Sequence, residues 1–149
     1  MAVIAGTRAV VEECFKWAMQ RKAFGKPLMS QAVIREKLGK MVAAVDSVDA
    51  YADMITWQMN HMSYKEQNAN LGGPIALLKY QATRTAHLVA DESSQIFGGR
   101  AFTKGAMGRV IETFHRTYKG PSIYGGSEEI MVDLGVRQAL KDYPRDARL

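Results

Sequence analysis

Three short clusters carry the side chains that could bind or react, and each contains glycine. The stretch Ile123-Tyr124-Gly125-Gly126-Ser127-Glu128-Glu129 joins two adjacent glycines to a serine and two carboxylates. Such glycines let the backbone turn tightly and approach a ligand, at an entropic cost that needs a reason. Ser127 is placed to cap a helix whose positively polarised first turn suits Glu128 and Glu129. The second cluster is Arg21-Lys22-Ala23-Phe24-Gly25 through Gln31, and the third is Gln95-Ile96-Phe97-Gly98-Gly99. A planar guanidinium matches a pair of phosphate oxygens, and glutamine amides match ribose or purine edges. Taken singly, each cluster reads as a helix cap and turn before it reads as a ligand site.

Other chemistries find little support. His61, His87 and His115 are far apart in sequence and make no recognisable metal site; His87 has Asp91 four residues later, which reads as an exposed helix pair. No nucleophile elbow, Ser-His-Asp order or Gly-x-x-x-x-Gly-Lys phosphate loop is present. Cys14, alone and set among Val10, Val11, Phe15 and Ala18, reads as a core thiol.

The helices that must hold these clusters are legible from periodicity. Residues 3 to 19 place Ile4, Val11, Phe15 and Ala18 on one stripe, with Val10 and Cys14 alongside. The uncapped start at Met1 reads as the continuation of an upstream element. Gly25, Pro27 and Ser30 break the pattern, so Lys22 to Ser30 is expected as loop. From Gln31, the series Ile34, Leu38, Met41, Val45, Val48, Ala52, Ile55, Met59 and Met62 alternates steps of four and three, a heptad-like seam of core packing. Tyr51, Trp57 and the methionines are accordingly core or subunit-contact residues. Asn68 to Gly73 is expected as a second loop, with Pro74 opening a helix along Ile75, Leu78, Ala82, Ala86, Val89, Ser93 and Ile96. A short amphipathic piece over Ala106 to Phe114 and a last helix from about Ser127 to Leu140 complete the chain. The fold expected is all-α, a single domain over residues 1–149 built as an antiparallel, up-down four-helix bundle.

Composition agrees with an ordinary globular domain: 149 residues, 47% hydrophobic and 23% charged. Lys and Arg outnumber Asp and Glu by 20 to 15, but the positive residues are dispersed along every segment. Dispersal argues against nucleic acid as the partner, which would call for a basic stripe. No apolar run has the length to cross a bilayer, and the N-terminus lacks a signal-peptide pattern. Ala147-Arg148-Leu149 follows the small-basic-leucine pattern of a peroxisomal address, with mitochondrial or cytoplasmic location as the alternative.

Together and in order, Arg-x-x-Phe-Gly with Gln31 beyond it, Gln-x-Phe-Gly-Gly and Ile-Tyr-x-Gly-Ser resemble the C-terminal domain of the acyl-CoA dehydrogenase family, from about Val3 to Leu140. The resemblance implies flavin adenine dinucleotide (FAD) as cofactor, an acyl-CoA substrate, a homodimer or homotetramer sharing FAD across its interface, and further N-terminal helical and β domains. It implies that Arg21 meets the flavin pyrophosphate across the dimer interface, with Phe24 and Gln31 on the same cofactor. Gln95, Gly98 and Gly99 would border the adenosine end, Ser127 and Glu129 would touch the cofactor, and Tyr124 and Gly126 would line the thioester site. The departures are equally informative. Many members carry the catalytic glutamate directly after this tyrosine, where this chain has Gly125. Relatives of the long-chain and isovaleryl types place it on the first helix instead, at a position that falls before Met1 and matches neither Glu12 nor Glu13. Ala101 replaces a usual glycine and Thr117 a common aspartate, which puts a turn and a salt bridge in question. A non-catalytic oligomerisation module that kept the family fold is the rival expectation.

Overall fold

The computed structural model describes residues 2–141 and 143, and among these the regular elements are helices and one small hairpin, joined by short turns. Six α-helices follow in order: α1 (Ala2–Gln20), α2 (Ala32–His61), α3 (Tyr64–Asn70), α4 (Gly72–Phe97), α5 (Arg109–Thr117) and α6 (Glu128–Ala139). The strands β1 (Lys22–Ala23) and β2 (Lys26–Pro27) form an antiparallel hairpin between α1 and α2. That hairpin corrects the expected loop at its centre: Phe24 and Gly25 close a two-residue turn that puts its flanks in register.

Cross-helix contacts fix the directions. Ile4 packs with Val48, Ala52 and Ala82, whereas Trp17 packs with Leu38, Ile96 and Phe97. Helix α2 therefore runs against α1, and α4 runs with it. Gly73 lies beside Gln138, and Arg84 faces Glu128, so α6 runs against α4. Four long helices thus alternate up and down. Helices α1, α2 and α4 pack on one another, α6 lies along α4, and α5 packs against α4 and α1.

The core is the meeting of three apolar stripes. Val10, Cys14 and Ala18 of α1, Leu38, Met41 and Val45 of α2, and Val89, Ile96 and Phe97 of α4 form one continuous cluster. Each large side chain so buried contributes roughly 1.5–3 kcal/mol. Between α2 and α4, Lys37 and the buried Glu92 form an ion pair at 2.5 Å. At the surface Arg8 of α1 reaches both Asp46 and Asp49 of α2, tying the helix pair.

Several side chains face away from where periodicity puts them. Phe15 and Ile75 are exposed because Trp17 and Thr7 share the core face of α1, and Ala76 takes that face on α4. The α2 seam holds from Leu38 to Ile55, while Met59 and Trp57 are exposed and Trp57 stacks on His61 at 4.3 Å. Trp57 is thus no core residue. The expected loop over Asn68 to Gly73 is instead the end of α3 and the start of α4. Ser63 and Glu66 close a reciprocal capping box that nucleates α3.

Candidate functional site

The second and third clusters meet at one end of the molecule. Arg21 terminates α1: its N–H donates to the Trp17 carbonyl at 2.8 Å, and its own carbonyl accepts from Leu28 N–H at 2.8 Å. This backbone clasp leaves the guanidinium exposed, and among the described residues it makes no ion pair. Trp17, Gln20, Arg21, Lys22, Arg100 and Met107 line a shallow cleft at this end. Arg100 lies over the Trp17 ring at 5.6 Å, and that ring stacks on Phe97 at 5.0 Å while its Nε1–H donates to the Ile96 carbonyl at 3.2 Å. The packed core thus supports a three-cation surface. Arg100 was not evident as a partner from sequence, because its place depends on α1 and α4 running side by side.

Phe24 is 95% exposed at the hairpin tip, with φ +52°. A left-handed backbone costs a non-glycine residue about 1–2 kcal/mol, so an apolar ring is held in solvent against a backbone penalty. Gln31 occupies the N-cap position of α2, but its side chain does not cap. At the neighbouring end of α4, Gln95 is exposed and Gly98 adopts φ +59°, ψ −142°, a conformation for which side chains are ill suited. Nothing lies within 4 Å of where a side chain at Gly98 or Gly99 would start, so this backbone is open to close approach. Ala101, in place of the usual glycine, is buried without a left-handed backbone, and the turn over Gly98–Phe102 is intact.

The opening cluster lies elsewhere. The glycine turn packs near Lys79, some seventeen residues before Ile96 on α4, which places it about 25 Å from the other two clusters along that helix axis. Gly125 and Gly126 adopt φ +68° and +95°. A side chain at Gly126 would collide with Met131, whereas one at Gly125 would meet nothing within 4 Å. Position 125 therefore points outward into space that a carboxylate could occupy. Tyr124 is exposed and borders an apolar cleft of about 400 Å³ with Val3, Ile4, Ile55, Leu78 and Pro121.

Ser127 caps α6 through its hydroxyl oxygen, which accepts from Ile130 N–H at 3.5 Å. Glu129 is exposed, and the hydrogen bond from its own backbone N–H, joined by the Ser127 hydroxyl, holds its carboxyl below the usual glutamate range. Its neighbour Glu128 turns inward, 7% exposed, between Lys119 at 3.5 Å and Arg84 at 3.8 Å. The adjacent carboxylates thus divide their work: Glu128 anchors α6 to α4, and Glu129 remains available.

Other candidates resolve into structure. Burial pushes the Cys14 thiol up to about 12, with the charge of Glu13 adding to it, so it is no nucleophile at neutral pH. Among the described residues no three His, Cys, Asp or Glu side chains come together to hold a metal, and no helix is long and apolar enough to cross a membrane. His87 faces Tyr118, whose hydroxyl lies 3.3 Å from His87 Nδ1. Arg116, lacking a following aspartate, pairs with Glu112 at 3.1 Å, and Thr117 donates to the Thr113 carbonyl.

With fold and turns in place, comparison with known proteins is decisive for the family. The profile of the acyl-CoA dehydrogenase C-terminal domain matches residues 1–140, and the chain belongs to that family. Acyl-CoA dehydrogenase apdG of Emericella nidulans is 32% identical over 141 residues, covering 95% of this chain and 32% of the relative. A probable acyl-CoA dehydrogenase from Mycobacterium abscessus superposes with a TM-score of 0.81 at 25% identity, covering 91% of this chain and 34% of that one. A structure titled FAD complex of PigA shares the fold with a TM-score of 0.80 at 16% identity, covering 95% and 34% of the two chains. The chain spans about a third of the length of the relatives it matches.

Proposed function

We propose that this chain is the C-terminal, FAD-binding and oligomerisation domain of an acyl-CoA dehydrogenase, whose parent reaction is the α,β-dehydrogenation of an acyl-CoA thioester. The observation that carries the reading is a division of labour. An exposed guanidinium, free of ion pairs among the described residues, stands beside open glycine backbone at one end of α4, and a ligand-approach turn stands about 25 Å away. The donor chemistry fits the cofactor: Arg21 matches a pyrophosphate, Gln95 with Gly98 and Gly99 the adenosine end, and Phe24 and Gln31 are presented rather than packed. Ser127 and Glu129 would meet the same cofactor from the glycine turn before α6, and Tyr124 and Gly126 the thioester. When bound, the flavin supplies the hydride acceptor. One chain cannot bring both ends to one small molecule unaided, so the reading calls for a homodimer or homotetramer. The exposed apolar side chains Met54, Trp57, Ile130 and Val136 support such contacts.

This chain's residues bind and orient; they do not take the proton. Gly125 has no acid–base group, so the base of the parent reaction comes from outside these 149 residues. The purified chain is expected to show no turnover of any acyl-CoA with an electron-acceptor dye. In the longer polypeptide that the reading implies, Arg21→Ala should abolish flavin retention through gel filtration while leaving the far-UV circular dichroism unchanged. Unaltered flavin content would overturn the cofactor assignment.

The missing carboxylate at position 125 favours one rival, a non-catalytic oligomerisation module, and flavin retention separates the two. We further propose peroxisomal targeting through Ala147-Arg148-Leu149, which lies outside the described residues. Deleting these three should disperse a fluorescent fusion from peroxisomes.

A further inference from the structure

Lys79 lies about two turns into α4, which begins at Gly72, and its surroundings are unusual for a lysine. Its ammonium donates to the Tyr124 carbonyl at 2.9 Å and to the Gly126 carbonyl, the two that flank Gly125. The side chain is half-buried, and among the described residues it makes no ion pair. Its stem lies along the apolar cleft beside Leu78, Ala82 and Tyr124. An ammonium with its stem on an apolar wall and two of its three N–H donors on carbonyls acts as a clamp.

The turn needs such a clamp. Two successive glycines in left-handed conformations have more accessible states than any other dipeptide, so they hold one geometry only if something outside them selects it. Local hydrogen bonds do part of this before the glycines, where Ile123 and Tyr124 N–H both donate to the Gly120 carbonyl at 2.9 and 3.3 Å. After them, Ser127 starts α6. Between these anchors only Lys79 reaches across from another element, among the described residues. Turning both flanking carbonyls inward leaves position 125 facing outward, where nothing lies within 4 Å.

We propose that Lys79 is the positioning residue of this turn: it selects the left-handed pair and thereby sets the direction in which Tyr124 and position 125 face the ligand. The ligand-facing part rests on the acyl-CoA reading above; the clamp rests on geometry alone. Charge-assisted hydrogen bonds to two carbonyls are among the stronger single contacts, so their loss should raise local opening by about tenfold or more.

Limited proteolysis of the purified chain by chymotrypsin tests this without any ligand. Tyr124 in the turn and Tyr64 at the start of α3 are both exposed, so Tyr64 serves as the internal reference. In Lys79→Met, which keeps the stem, cleavage after Tyr124 should rise about tenfold while cleavage after Tyr64 and the thermal midpoint stay put, and Lys79→Arg should restore resistance. Equal acceleration at both tyrosines, no acceleration, or failure of arginine to restore resistance overturns the assignment. A measurement on the unaltered chain adds a check independent of any variant. Backbone order parameters of Gly125 and Gly126 should sit near the rigid value of about 0.85, and values under about 0.6 overturn the clamp. Loss of flavin binding on Arg21→Ala bears on the cofactor reading only, so the two ideas fail separately.

Discussion

The two ends of α4 solve the same problem, holding a glycine-rich loop in one shape, by opposite means. At the C-terminal end the loop stands on a packed core: Trp17, Phe97 and Ile96 are buried, and Ala101 beneath the turn is 2% exposed. At the N-terminal half the turn borders an open apolar cleft and is tied by a lysine and a serine cap. Packing is cooperative with the whole fold, whereas a polar clamp is local. The contrast teaches which substitutions will unfold the domain and which will only loosen a loop.

The sharpest way to break the contrast is Trp17→Ala. Removing a buried ring that stacks on Phe97 and donates to Ile96 should cost about 3–5 kcal/mol, whereas Tyr124→Ala, on an exposed ring, should stay within about 0.5 kcal/mol. Urea unfolding monitored by circular dichroism compares the two; equal losses would erase the distinction. Next in size is the α4–α6 contact, where a side chain at Gly135 would begin 2.5 Å from Leu77. Gly135→Ala should cost about 1–3 kcal/mol. Gly39→Ala in α2, with nothing within 4 Å, should stabilise by about 0.5–1 kcal/mol on the same assay.

A smaller effect belongs to the α3 cap. Ser63→Ala should cost about 1 kcal/mol. The Ser63 hydroxyl, joined by the Ser63 backbone N–H, holds the Glu66 carboxyl below its ordinary value. A depressed carboxyl contributes stability above its unfolded pKa, near 4.3, and loses it as pH falls through the folded value. Acidification below about pH 4 should therefore raise amide exchange over residues 64–70 before the core around Val45 and Val89 responds. The smallest expected change is at the hairpin. Phe24→Gly should gain about 1 kcal/mol or less by relieving the left-handed backbone, while weakening flavin retention in the longer polypeptide. A stabilised hairpin with full flavin content would remove Phe24 from the cofactor assignment.

Much of this was readable beforehand because it is written in local spacing. The α2 seam from Leu38 to Ile55 follows from steps of three and four, and the glycine clusters mark helix ends wherever they occur. Helix α3 shows no apolar stripe because Tyr64 and Ala69 are its only non-polar residues, and its signal in the sequence is the Ser63–Glu66 pair. Phe15 stands outside the core because a stripe defines a face only to within one side chain, and Trp17 takes the core position there. Of the candidate site, the residues were legible but their grouping was not. That Arg21 shares a cleft with Arg100 while Tyr124 lies far from it depends on α1 running with α4, and that Lys79 grips the turn joins residues 45 and 47 positions apart. Such long-range pairs leave no local trace.

The separation of the two clusters along α4 has a genetic consequence under the proposed assembly. A copy damaged at Arg21 keeps a sound glycine turn, and a copy damaged at the turn keeps a sound Arg21. In a mixed dimer the two defects would fall on the same composite site, leaving its counterpart whole. Two alleles each inactive alone would then restore partial function together, whereas a single defective allele would spoil sites that it shares with healthy partners.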